Sequence, residues 1–173
     1  FENNVKNGPF KTYYDSGKIK DEGTYKYGFL EGEYKSYHKD SPPGTLNTIA
    51  LYHDGKITGI VQGFYENGDL MHETEYQDNL PNGKIIEYFP KRIVESVIPV
   101  IKAKGNMVNG EKHGEWTTFY PDSSLYAVGN YKNHKIDGLW MYYFENGQLK
   151  QKGSFIDGLA QGEFIFYHEN GQI

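Results

Sequence analysis

The chain contains no cysteine among its 173 residues, which removes disulfides and thiolate metal sites and leaves its redox compartment unspecified. It has no apolar run near the ~18 residues of a membrane-spanning helix. Basic excess is lacking as well, with 18 Lys and Arg against 23 Asp and Glu and a net charge of -5. That balance gives no electrostatic footprint for nucleic acid and no basic patch for acidic lipid, so no nucleic-acid partner is expected. Aliphatic bulk is scarce, and the mean hydropathy is -0.74. Rings and turns dominate instead: 16 Tyr, 10 Phe, 2 Trp and 21 Gly, well above the usual roughly 7% glycine. The length suits one ordinary domain, but the composition does not suit an ordinary core.

A repeated phrase explains the composition. FENGQLKQKGSF at 144–155 returns as YDSGKIKDEGTY at 14–25 and YENGDLMHETEY at 65–76, and HENGQI closes the sequence. Aligned on the glycine before each aromatic-rich segment, the units start at Gly8, Gly32, Gly59, Gly83, Gly114, Gly138 and Gly162. The spacing is 24 residues except where insertions fall, at 39–43 in the second unit and 90–98 in the fourth. With that glycine as position 1, position 3 is a ring in five units (Phe10, Tyr34, Trp116, Trp140, Phe164) and Val61 or Ile85 in the others. Position 7 carries a ring, position 12 an aliphatic residue, position 16 a small residue and position 18 an aromatic residue or Met107; Phe1 also fits position 18. Residues 1–173 thus read as one array of about seven repeats.

Two ring-rich segments joined by Asn-Gly or Ser-Gly in each unit predict a β-hairpin. Helices are not expected, because no 3.6-residue apolar period survives the recurrent glycine. With Asn-Gly at positions 9 and 10 as a two-residue turn, 7 faces 12, 5 faces 14, 3 faces 16 and 1 faces 18, all on one face. The other face pairs 6 with 13, as Tyr13 with Lys20 and Tyr143 with Lys150, and 4 with 15, as Lys11 with Glu22. A large residue at 3 then meets a small one at 16, so a ring can lie across bare backbone, while the aliphatic residue at 12 packs under the ring at 7. Glycine- or Asn-containing connections such as KYGFLE at 26–31 place successive hairpins antiparallel. The expected fold is all-β, an elongated single-layer antiparallel meander of about seven tandem hairpins in which each unit stabilises its neighbours.

These residues resemble the MORN (membrane occupation and recognition nexus) repeat in its bacterial variant, G-x-W-x-x-Y-Y-x-x-N-G-x-L-x-x-x-G-x-Y. Residues 138–149, GLWMYYFENGQL, followed by Gly153 and Phe155, fit that unit nearly letter for letter. Val61 and Ile85 at position 3, Ala50 and Thr74 at position 16 and Met107 at position 18 depart from it, which predicts that the third and fourth units are the least regular. The resemblance implies a rod of hairpins acting as a scaffold for proteins or sometimes lipids, with catalysis supplied by other domains. Similar bacterial proteins are labelled YwqK-family antitoxins, which implies a toxin as partner.

No catalytic pattern competes with that reading. The six histidines, His38, His53, His72, His113, His134 and His168, make no ligand spacing, and His38 and His168 occupy the ring position 7. Glu31, Glu33, Glu73 and Glu75 lie near one another but read as solvated surface. No cofactor, metal or catalytic residue is therefore expected, and the chain reads as a non-enzymatic scaffold for a protein partner. Candidate partner-binding residues are the rings Trp116, Trp140, Phe144, Tyr120, Tyr14 and Tyr65, with Lys91 and Arg92 in the second insertion. The rings at position 3 carry a structural role as well, packing over glycine.

A membrane-peripheral lipid-binding module is the alternative, against which stand the net charge and the lack of any basic cluster beyond Lys91-Arg92. Exposed strand edges make end-to-end self-association a further expectation. A cytoplasmic location is slightly favoured over a secreted or lipoprotein form, and the start at Phe1 rather than Met keeps both open.

Overall fold

The computed structural model describes residues 5–94 and 96–173. The position assigned to Phe1, and Glu95 inside the second insertion, lie outside the described residues. The chain is all-β, one open antiparallel sheet of 14 strands in meander order, and its contacts divide it into two compact units, Phe1–Pro81 and Asn82–Ile173. The first carries β1 (Gly8–Tyr13), β2 (Ile19–Lys26), β3 (Phe29–Leu30), β4 (Gly32–Tyr37), β5 (Leu46–His53), β6 (Lys56–Phe64) and β7 (Leu70–Gln77). In the second, β8 (Leu80–Phe89, entering from the last residues of the first), α1 (Lys91–Val94), β9 (Val100–Val108) and β10 (Glu111–Phe119) lead to β11 (Leu125–Lys132), β12 (Lys135–Tyr143), β13 (Leu149–Ile156) and β14 (Leu159–Phe166). The helical turn α1 falls in the second insertion.

Most of the expected register is present. Gly138 faces Phe155, Trp140 faces Gly153 and Tyr142 faces Gln151, which are pairings 1 with 18, 3 with 16 and 5 with 14; β1 and β2 repeat them with Gly8–Tyr25, Phe10–Gly23 and Thr12–Asp21. The turn differs from the expectation. Tyr14 donates its N–H to the Lys18 carbonyl and accepts the Gly17 N–H, both at 2.9 Å, so positions 7 to 10 form a four-residue turn with glycine left-handed at its end (Gly17 φ +80). Positions 7 and 12 therefore do not face each other. A bulge follows, in which Tyr13 pairs with Ile19 and Tyr143 with Leu149 instead of Lys20 and Lys150. Asn at position 9 is selected by a different bond from the one a two-residue turn needs: Asn67, Asp122, Asn146 and Asn170 each accept through Oδ1 the N–H two residues ahead, at 2.9–3.1 Å.

The true two-residue turns lie at the connections. Asp54-Gly55, Asn109-Gly110, Asn133-His134 and Asp157-Gly158 have positive φ at both residues, as a type I′ hairpin requires, and are closed by His53–Lys56, Val108–Glu111, Lys132–Lys135 and Ile156–Leu159. The fifth unit breaks the rule at position 10, where Ser123 holds φ +73 in place of glycine. Its side chain makes no hydrogen bond that would offset the left-handed backbone, which costs an L residue roughly 1–2 kcal/mol. Ser123→Gly is therefore expected to stabilise the protein by about 1 kcal/mol, read as a rise in urea midpoint at unchanged slope.

The ring-over-glycine packing also has a different geometry from the one expected. A Cβ placed on Gly129 would collide with the Trp140 indole, one on Gly105 with Trp116 and one on Gly153 with Phe164. Each of these three rings thus covers the small residue at 16 of the preceding hairpin, while at Gly23 the Phe10 ring of the same hairpin is nearest, at 3.1 Å. The cause is Gly138, whose φ of +72 opens a bulge in the β11–β12 ladder between Val128 and Asn130 and swings Trp140 back over Gly129. The Trp140 indole N–H then donates to the Asn130 carbonyl at 3.0 Å, and that of Trp116 to Asn106 at 3.2 Å. Successive hairpins are therefore joined by side chains as well as by the ladder. In this way a one-layer sheet buries Trp116 to 2% and Trp140 to 5% exposure, with Ala127 and the half-buried Ile85, Met107, Tyr131, Ile136, Tyr142 and Phe155 around them.

Candidate functional site

The ring positions proposed for partner contact divide by what they touch. Trp116 and Trp140 are buried in the packing just described, so they support a surface instead of presenting one. At position 7, Tyr14 donates its hydroxyl to the Tyr37 carbonyl at 2.7 Å and Tyr120 to the Tyr143 carbonyl at 2.9 Å; His38 Nε2 lies 2.9 Å from the Phe64 oxygen. All three ties run to position 6 of the next hairpin. Tyr65 is half-buried and heads the turn closed by Gly68 at 2.8 Å. Phe144 has no hydroxyl to donate, and the Lys150 ammonium stands 5.4 Å from its ring centre.

The two insertions behave differently. In the first, Lys18 Nζ donates to the Ser41 carbonyl at 2.9 Å and to that of Lys39 at 3.3 Å, and the buried Ser41 hydroxyl donates to the Glu66 carbonyl at 2.8 Å. That insertion is a tether between neighbouring turns. The second exposes Lys91 and Arg92 on α1 and then displays Ile93, Val97 and Ile98 at 51%, 95% and 71% exposure.

The second compact unit also contains a feature that the sequence reading missed. Six rings touch in series: Trp116 to Tyr131 at 5.7 Å, Tyr131 to Trp140 at 5.3 Å, Trp140 to Tyr142 at 6.1 Å, Tyr142 to Tyr126 at 6.1 Å and Tyr126 to Tyr120 at 5.1 Å. Four of the five contacts are edge-to-face, the arrangement that ring quadrupoles favour. Five of the rings, all but Tyr120, border a groove of about 380 Å³ that Ala103, Ala127, Lys102, Lys112 and Glu87 also line. Both alanines occupy position 14, where Asp21, Thr48, His72 and Gln151 stand in other units. The short side chain at that position leaves the space open, and its restriction to two adjacent units was the available signal. Burial raises the pKa of the Tyr131 and Tyr142 phenols, so the walls stay uncharged at neutral pH.

In the first compact unit position 14 is polar instead, and the Thr12 and Tyr34 hydroxyls donate to Asp21 at 2.9 and 2.6 Å. On the opposite face Lys11 pairs with Glu22 at 2.8 Å and the Tyr37 hydroxyl donates to Glu22 at 2.5 Å. Lys11 first, and Tyr37 second, hold the Glu22 carboxyl below its ordinary value of 4.5, while burial and then Glu22 push the Tyr37 phenol up to about 12. A depressed carboxyl stabilises the fold above its unfolded pKa and loses that contribution as pH falls through its folded pKa. Glu22→Gln is accordingly expected to melt below the native protein at pH 7, with the gap closing as the pH drops below 4.5.

Of the acidic neighbours, Glu31 accepts from Asp54 N–H at 2.9 Å and contacts His53 at 3.2 Å, Glu33 pairs with Lys35 at 2.5 Å and Glu73 accepts from Gln62 at 2.9 Å. Among the described residues no group of His, Asp and Glu is placed to hold a metal ion, and no helix is long and apolar enough to cross a membrane.

The sequence profile of the MORN repeat variant matches residues 6–27, 57–78, 112–133, 136–157 and 160–173, together more than half of the chain. No curated protein matches it significantly. The profile fits the third unit despite Val61 and Thr74, and passes over the second and fourth, where the insertions lie. Inserted loops therefore disturb the repeat more than the substitutions that led us to expect irregular third and fourth units. The chain belongs to the MORN repeat variant family, non-catalytic repeat scaffolds that serve as protein-interaction or membrane-binding modules.

Proposed function

We propose that this chain is a non-enzymatic scaffold that binds a protein partner through the aromatic groove above Ala103 and Ala127. The observation that carries this reading is the groove itself: a concave surface of rings, of a size with small recognition pockets, edged by the charged Lys102, Lys112 and Glu87. Tyr126, 40% exposed, is the kind of rigid aromatic anchor that dominates interface energetics. Phe144, Lys91 and Arg92 extend the contact surface, Tyr120 ties the hairpins that present it, and Tyr14 makes the equivalent tie in the first compact unit, where Tyr65 heads a further turn.

An antitoxin is the sharper form of the proposal. The charge distribution supports it, because residues 1–81 hold 8 basic and 13 acidic side chains while residues 82–173 hold 10 of each. The acidic excess of the first unit suits capture of a basic toxin and speeds the encounter.

The test is affinity capture from an extract of the source cell, with the native chain beside a folded Tyr126→Ser, Tyr142→Ser variant. A specific protein retained by the first and lost by the second is expected. A partner held equally by both would move the site away from the groove, and co-flotation with anionic vesicles in place of protein capture would replace this reading with membrane-peripheral binding.

A further inference from the structure

The groove runs across the strands instead of along them. Glu87 pairs with Ala103, Ala103 with Thr118, Thr118 with Ala127 and Ala127 with Tyr142, so a single row on one face crosses β8 to β12. All five residues line the groove. Each of these strands has a neighbour on both sides, and its backbone groups are committed to the ladder. A segment lying in the groove is therefore recognised by side chains alone.

Most of those side chains are donors. The hydroxyls of Tyr126, Tyr131 and Tyr142 make no hydrogen bond among the described residues. Burial, and then the Tyr126 and Tyr131 phenols, raise the pKa of Tyr142, as expected of three phenols lying close together. Lys102 and Lys112 form no ion pair among the described residues, and Glu87, the one carboxylate lining the groove, is unpaired as well. The Lys112 ammonium rests 4.0 Å from the Trp116 ring centre and 5.2 Å from that of Tyr131. An ordinary extended peptide would bring one N–H per residue into this acceptor-poor space. Proline brings a ring and a carbonyl and no N–H, and the polyproline II helix it forms is extended, free of internal hydrogen bonds and suited to aromatic-lined grooves.

We propose that the groove takes a proline-rich segment of the partner protein as a polyproline II helix, its carbonyls accepting from the Tyr126, Tyr131 and Tyr142 hydroxyls and an acidic residue within it meeting Lys112. The proposal rests on the reading of the groove as a protein-binding surface and names the segment that surface holds. Two ammoniums against one carboxylate provide the charge complementarity for the acid. The row from Glu87 to Tyr142 covers four strand spacings, roughly 19 Å at about 4.8 Å each. About six residues of such a helix span that distance.

Trp116 and Trp140, the two tryptophans of the chain, both line the groove, so intrinsic fluorescence reports its occupancy. The test titrates the full chain with a synthetic peptide of about ten residues, proline throughout except for one central glutamate, up to about 1 mM. A saturating fluorescence change is expected, with a calorimetric signal to match. The same peptide with alanine in place of proline is expected to bind at least about tenfold more weakly. Tyr126→Phe combined with Tyr142→Phe keeps both rings and removes only hydroxyls; at an unchanged circular dichroism spectrum it is expected to weaken binding at least about tenfold. Lys112→Glu is expected to reverse the charge preference, so that a proline peptide with central lysine binds better than the one with glutamate. A native chain that does not bind the proline peptide overturns the proposal. So do equal binding of the alanine peptide, indifference to the two Phe substitutions and an unchanged charge preference in Lys112→Glu. A chain that ignores proline peptides yet captures a protein in a Tyr126-dependent way removes this occupant and leaves the scaffold reading intact.

Discussion

Trp140→Ala is expected to lower the unfolding free energy by about 3–5 kcal/mol, the range for emptying a buried large aromatic site. The indole is 5% exposed, donates to the Asn130 carbonyl and contacts Tyr131 and Tyr142. In a sheet of one layer no opposite face can collapse into the vacated space. Water would enter instead, and the bare backbone at Gly129 would lose its cover. Urea unfolding followed by far-ultraviolet circular dichroism measures the loss. Phe144→Ala is the comparison, because its ring is only half-buried and its truncation should cost clearly less. The functional consequence is direct: Trp140 also borders the groove, so a folded remnant of this variant should bind a partner poorly.

Gly129→Ala is expected to cost about 1–3 kcal/mol, the range for overpacking a well-filled site. The added methyl would meet the five-membered ring and the fused edge of Trp140. These atoms cannot move aside without surrendering the indole hydrogen bond to Asn130. Backbone conformation is not the reason, since Gly129 has no positive φ. Gly138 is the reverse case, with φ +72 and no atom within 4 Å of an added Cβ. Asn tolerates that conformation, so Gly138→Asn should cost less than Gly129→Ala although both replace a repeat glycine. Two glycines in one motif are thus required for different reasons, close approach at position 16 and left-handed backbone at position 1.

The period, the strand pairing and the identity of the ring and glycine positions were readable from the sequence because side chains alternate strictly along a strand. The residues flanking Trp140 and Gly153 allow only one register that keeps large opposite small. Three features were not readable, each for a physical reason. Asn-Gly is compatible with two kinds of turn, and the choice depends on whether Asn146 Oδ1 reaches the Gln148 N–H, a contact that composition does not encode. Which glycine Trp140 covers depends on the bulge at Gly138, a backbone excursion that shifts the ring by one strand while leaving its formal partner unchanged. The groove depends on the absence of side-chain volume at Ala103 and Ala127, and an absence becomes visible only once the neighbouring rings are placed around it. The insertions looked equivalent in sequence, yet Ser41 is buried by its bond to the Glu66 carbonyl and Val97 touches solvent almost everywhere.

The central claim is that in the second compact unit each hairpin is held by the ring of the next one lying on its glycine, at Gly105, Gly129 and Gly153, and that this packing supports the binding face. The double-mutant cycle of Gly129→Ala and Trp140→Ala tests it most directly. If the methyl is harmful only because the indole lies over it, Gly129→Ala should add almost nothing once Trp140 is alanine, leaving a coupling of about 1–3 kcal/mol between residues in successive hairpins. Costs that simply add, to within about 0.5 kcal/mol, would contradict the account and return the ring to the glycine of its own hairpin.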